Sequence, residues 1–180
     1  MFNEKIVASF GKSSMIRAMF ETGAKLKAKY GEENVFDFSL GNPETEPPEP
    51  VQESIKKYVN GNYPGLHHYM SNAGHEDVRE KVAQHIQKKS GVPMTKDNIL
   101  MVCGAAAGLN IALKALLNPG EEVIVLAPYF VEYLSYLDNA GGKPVIVNTE
   151  KSTFQIDVEA VKKSITPRTK AVVLNSPNNP

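Results

Sequence analysis

The chain has 180 residues, 42% apolar and 22% charged, a composition that suits a soluble globular fold with a sizeable core. Twenty basic and twenty acidic residues cancel to a formal net charge of zero, and no basic face emerges, which argues against nucleic acid or an anionic membrane as partner. No apolar run approaches the length of a membrane span, and the N-terminal MFNEKIVASF lacks the apolar core of a signal peptide, so a cytoplasmic location is expected.

Ser13 and Ser14 offer an N-cap, and Ile16, Met19, Phe20, Gly23, Leu26 and Tyr30 recur at helical spacing up to Gly31. Val35 to Leu40 alternates as a strand does and runs into Gly41-Asn42-Pro43. The Pro-rich passage that follows, with Pro47, Pro48 and Pro50, holds no regular structure and marks the best internal boundary, dividing 1–48 from 49–180. A helix with Pro50 in its first turn then carries Val51, Ile55, Tyr58 and Val59 to a stop at Asn60-Gly61. Residues 61–73 are rich in turn formers and aromatics without a period, so they form a long ordered loop. Val78, Val82, Ala83 and Ile86 define one face of a helix closed by Gly91.

From Ile99 to Phe130 the chain outlines a βαβ unit: an apolar strand to Cys103, a Gly-Ala turn, a helix, a Pro-Gly stop and a second apolar strand. The lone cysteine, Cys103, is expected to be a buried structural thiol at the end of the first strand. A helix over 131–139 closed by Gly141-Gly142, a strand over 144–147, a helix capped by Asp157 and a strand over 170–174 complete the pattern. Strands alternating with helices imply a mostly parallel sheet covered on both faces, with ligands beyond the carboxyl ends of its strands. Three unusual loops fall there: the Gly104 turn, Pro128-Tyr129-Phe130, and Asn175 to Pro180.

At Gly104, Ala105 and Ala106 the side chains are minimal. Main-chain N–H groups and the positive end of the helix dipole suit an anion such as phosphate at that turn, and tight packing of the helix on the sheet would need the same small residues. The turn is neither a Walker loop nor a GxGxxG dinucleotide fingerprint. His67, His68, His75 and His85 are scattered and lack cysteine or carboxylate company, so no metal site is expected.

The series SLGNPE (Ser39 to Glu44), Tyr69 to Gly74 leading to Val78-Arg79, ILMVCGAAAGL, NPGEEVIVLAPYF and the terminal NSPNNP resembles, in order and spacing, the class I/II aminotransferases, which are fold-type I pyridoxal-phosphate enzymes. The resemblance implies a three-layer α/β/α fold with a mostly parallel sheet of the PLP-dependent transferase type. Residues 1–48 would form the N-terminal arm and part of a smaller domain, including a helix and strand, and 49–180 the first part of the large cofactor-binding domain. It implies an amino-acid aminotransferase of aspartate or aromatic type that moves an α-amino group to a 2-oxo acid. Carbon–sulfur lysis on the same scaffold, or a non-catalytic aminotransferase-like binding module, is the alternative.

Carried over residue by residue, the resemblance implies that the N–H groups of Ala105 and Ala106, after Gly104, cradle the phosphate of pyridoxal 5'-phosphate. Phe130 stacks on its ring, the Asn179 amide bonds its 3' oxygen, and Gly41 lies against the α-carboxylate of the substrate. Tyr69 reaches the phosphate in a neighbouring subunit, which implies a homodimer. Two departures stand out: Ala105 to Ala107 offer no hydroxyl to the phosphate, and Phe130 is narrower than the family's tryptophan. The sequence stops within the family's Asn-Pro-Thr-Gly motif, so the ring-pairing aspartate, a second tyrosine, the Schiff-base lysine and the substrate-binding arginine are expected beyond Pro180. The chain is then expected to be an N-terminal portion, inactive alone and partnered by its C-terminal remainder.

Overall fold

The structure, a computed structural model, describes residues 2, 4, 7, 15–38, 41 and 45–179. Ser13, Ser14 and all of the SLGNPE stretch except Gly41 lie outside them. The chain divides into two compact units, Met1–His67 and His68–Pro180, so the Pro-rich passage falls inside the first.

In the first unit, helix α1 (Met15–Tyr30) follows the predicted spacing, and Gly31 N–H closes it on the Lys27 carbonyl at 2.9 Å. A single 3-10 turn, Glu32–Asn34, comes next. The strand expected from Val35 is not formed over 35–38. The alternation persists, with Val35 and Asp37 half-buried and Phe36 and Phe38 82% and 92% exposed, but no strand among the described residues lies alongside to make a ladder. Asp37 instead sits over α1, where a Cβ on Gly23 would come within 2.7 Å of its carboxylate. Helix α2 (Glu49–Asn60) takes Pro50 in its first turn, where a missing N–H costs nothing, and stops at Gly61.

The second unit opens on a turn-rich loop and helix α3 (Glu76–Ser90), which buries Ala83 and ends at Gly91. A 3-10 turn, Lys96–Asn98, is held by a reciprocal cap between Thr95 and Asn98. The strand expected over Ile99 to Cys103 is absent. Leu100, Met101 and Val102 are exposed, and with no strand alongside among the described residues the Met101 N–H bonds the Ala73 carbonyl at 2.9 Å. Cys103 is correspondingly exposed rather than buried, since it stands at the head of a helix and not in a sheet.

That helix, α4 (Gly104–Leu116), leads to β1 (Glu122–Ala127), α5 (Glu132–Ala140), β2 (Lys143–Asn148), α6 (Val158–Ser164) and β3 (Thr169–Val173). The Asp157 carboxylate accepts from Ala160 N–H at 2.9 Å, the predicted cap of α6. The three strands lie in the order β2-β1-β3 with both pairings parallel. Glu122 faces Lys143 and Thr169, while Val123 faces Ala171, so Lys170 is bulged out of register at the start of β3. Because the chain crosses one way through α5 and back through α6, right-handed crossovers put these helices on opposite faces. Val123 and Val125 pack with Leu113, Leu117, Leu137 and Ala140 on the α4–α5 side. Ile124 points the other way and is also fully buried, so the central strand is covered on both faces as expected. Each such side chain gains about 1.5–3 kcal/mol from leaving water.

Candidate functional site

The carboxyl edge of the sheet is where the chain gathers its predicted site. β1 runs out at Ala127 into Pro128-Tyr129-Phe130, and β3 runs out at Val173 into residues 174–179. The α4 N-terminus reaches the same edge. Asn139 near the end of α5 donates to Asn110 of α4 at 3.2 Å, and each lies about two helical turns from the start of its own helix. The two helices therefore begin level, and α5 begins where β1 has just ended.

Gly104 opens α4 with a φ of +84°, a left-handed conformation that glycine adopts without strain. A Cβ there would meet nothing within 4 Å. Among the described residues no side chain caps this helix, and Ala105 and Ala106 are exposed. A helix start with main-chain donors, no cap and no bulky neighbour fits a phosphate group, and the three alanines leave the main chain as the donor set.

Phe130 is half-buried and meets the Tyr133 ring edge-on, with centroids 5.8 Å apart and planes at 84°. Tyr129, Tyr133 and Tyr136 pack against the core below it. Between the ends of β1 and β3 lies a cavity of about 210 Å³, lined by Pro128, Tyr133, Thr149, Val173, Ser176 and Asn178 among others. The Asn178 amide donates to the Pro128 carbonyl at 2.9 Å, and Thr149 Oγ1 donates to the Ala127 carbonyl at 2.9 Å. Asn179, adjacent to this cavity lining, is exposed.

Gly104, Ala105, Ala106, Phe130 and Asn179 thus come to one edge. Tyr69 projects fully into solvent from the loop at the start of its unit. Gly41 belongs to the other unit, where it is exposed and a Cβ would meet nothing within 4 Å. At the opposite, amino end of β1, Glu122 is 6% exposed and takes hydrogen bonds from Thr166 Oγ1 (2.6 Å) and from Arg168 Nε and Nη2 (2.9 and 2.6 Å). The Thr166 and Arg168 bonds hold its carboxyl below the ordinary carboxylate value.

Two residues that the sequence places in motifs without assigning them a role make structural contacts here. Asn178 was hidden within a loop of turn formers. Arg79, 8% exposed, sits at helical spacing with Ala83 and Ile86, a sign that it occupies the apolar stripe of α3.

A model of the family described as aminotransferase class I and II matches residues 33–180, most of the chain, and the chain belongs to that family. It is 40% identical over 143 residues to a probable aspartate/prephenate aminotransferase of Thermus aquaticus, covering 79% of this chain and 37% of that protein. It is 35% identical over 169 residues to an aspartate aminotransferase of Pyrococcus abyssi, covering 93% and 41% respectively. A crystal structure of an amino transferase from Eubacterium rectale superposes over 100% of this chain and 46% of that one, with a TM-score of 0.93 at 39% identity. The fold is that of the PLP-dependent transferases, and the chain spans about two-fifths of the length of the curated relatives it matches. Among the described residues no helix is long and apolar enough to cross a membrane.

Proposed function

We propose that this chain forms the bed for pyridoxal 5'-phosphate in an amino-acid aminotransferase that passes an α-amino group from an aspartate- or aromatic-type amino acid to a 2-oxo acid. The observation that carries the reading is the meeting at one sheet edge of an uncapped helix start, the Phe130 ring and the 175–179 loop. The N–H groups of Ala105 and Ala106 bind phosphate, and Phe130, braced edge-on by Tyr133, keeps a flat slot for an aromatic ring and excludes water from it. The Asn179 amide orients the ring through its 3' oxygen, and the Gly41 main chain receives the α-carboxylate of the substrate. The exposed ring of Tyr69 supports a homodimer in which it reaches the phosphate of a second copy. When bound, the cofactor supplies an electron sink for charge at the carbon that carries the amine.

The residues assigned here bind and orient, none of them is assigned to move a proton, and the 180 residues alone turn over no amino acid. The protein works in the cytoplasm.

Titrating pyridoxal phosphate and pyridoxal into the purified chain tests this. Tighter binding of the phosphorylated form, and weakening of both by Phe130→Ala, is the expected result. Equal affinities would overturn the role of the Gly104 turn, and transamination by the 180 residues alone would overturn the division of labour.

A further inference from the structure

Arg79 is the one buried cation among the described residues, and its guanidinium is directed at main-chain carbonyls. Nε donates to Ile99 O at 2.9 Å and Nη2 to Lys96 O at 2.6 Å, while the Asp97 carboxylate stands 3.6 Å away and largely in solvent. The planar fork of a guanidinium can hold two carbonyls in a fixed relation, which a lysine ammonium cannot do as rigidly. Both carbonyls belong to the segment that enters the Gly104 turn, and no strand among the described residues lies beside it to fix it.

The same segment is tied to the loop that carries Tyr69. Met101 N–H donates to Ala73 O at 2.9 Å, and Gly74 N–H closes the loop on Ser71 O at 2.8 Å. Gly74 has a φ of +103°, and a Cβ there would lie 2.6 Å from Met101 Cγ, so only glycine lets the two stretches meet. Beyond Met101, the Val102 carbonyl accepts from Gly104 N–H at 2.9 Å, and a Cβ on Gly108 would lie 3.3 Å from Val102 Cγ2. An unbroken run of bonds and contacts therefore leads from the Tyr69 loop, past Arg79, to the first turn of α4.

We infer that Arg79 is a positioning residue that sets the Tyr69 loop and the Gly104 turn as one rigid unit, so that selectivity for a phosphate-bearing ligand depends on a side chain acting through Ile99 and Met101. This rests on the reading of the Gly104 turn as a phosphate site.

The test uses Arg79→Met and Arg79→Lys in the full 180-residue chain, with two readouts. In amide hydrogen exchange without ligand, Arg79→Met should speed exchange in both 66–74 and 96–107 and leave β1, β2 and α5 at wild-type rates, with Arg79→Lys intermediate. In titrations, the ratio of the pyridoxal Kd to the pyridoxal phosphate Kd should fall about tenfold in Arg79→Met, as expected for loss of a charge-assisted hydrogen bond. Loosening of one stretch only, loosening spread evenly through the sheet, or an unchanged ratio with both stretches loosened would each overturn the inference. Should the wild-type chain itself bind the two ligands equally, the phosphate reading would fall, and the exchange pattern would still decide whether Arg79 couples the two stretches.

Discussion

The side chain of Asn178 and the main chain of Pro128, fifty residues apart, are joined by a hydrogen bond of 2.9 Å that bridges the ends of β3 and β1. Asn178 is thereby spent on shape, holding the loop that presents Asn179. Asn178→Ala should cost about 1 kcal/mol in urea denaturation, the usual net worth of one such bond. Asn178→Asp should cost as much, because a carboxylate cannot donate to a carbonyl.

Glu122 makes the acid limb of the stability curve testable. Its folded pKa is depressed, chiefly by the hydrogen bond from Thr166 and then by Arg168. A depressed carboxylate contributes stability that is present above its unfolded pKa, near 4.5, and is lost as pH falls through the lower folded value. Glu122→Gln should therefore destabilise the chain at neutral pH, and the gap from wild type should narrow as unfolding is measured at pH values progressively below 4.5. Glu121, lowered by its bond from the Asn118 backbone, and Glu76, lowered by Lys96, add acid sensitivity that this variant retains. A gap that stays constant across that range would mean that the carboxylate charge contributes nothing.

At Gly104 the space for a side chain is open, so substitution isolates the cost of the backbone conformation. Gly104→Ala should cost about 1–2 kcal/mol, and Gly104→Asn less, because asparagine tolerates left-handed geometry better than alanine does. Thermal unfolding of the two variants side by side gives the order.

The core on the α4–α5 side is thin enough to depend on single residues. Leu137 is fully buried there among Leu113, Leu117, Val123, Val125 and Ala140. Leu137→Ala should cost about 2–5 kcal/mol by lost transfer energy and the cavity left behind. Chemical denaturation with an unchanged m-value would confirm that the loss is one of stability alone.

Elements whose partners lie close in the chain were legible in the sequence. The α4–β1–α5–β2 run, the Asp157 cap and the stops at Gly31, Gly61, Gly91 and Gly141 follow from local spacing and turn chemistry. Over 35–38 and 99–103 the side-chain pattern is that of a strand, but a strand is defined by its neighbour, and none lies alongside either stretch among the described residues. Cys103 is exposed for the same reason, since burial at the end of a strand needs a ladder that is absent among the described residues. Of the candidate site, the small-residue turn stands out by composition, and Phe130 through the family resemblance. Arg79 and Asn178 do not, because both act on carbonyls brought near by tertiary structure, 17 to 20 and 50 residues away respectively.

The central place of β1 also bears on the order in which the unit assembles. Its partners are reached by closing loops of different length: Glu122 meets Lys143 after 21 residues and Thr169 after 47. For flexible loops this difference amounts to only about 0.7 kcal/mol of chain entropy in favour of β2. The β1–α5–β2 crossover is nonetheless the nearer closure, and its helix already carries two of the residues that seal the core. Conservative substitutions at Val125 and Leu137 should accordingly slow refolding, whereas changes at Arg168 should act mainly on the rate of unfolding. The clasp at Glu122 then functions as a late latch, fastening β3 onto a pair of strands already assembled.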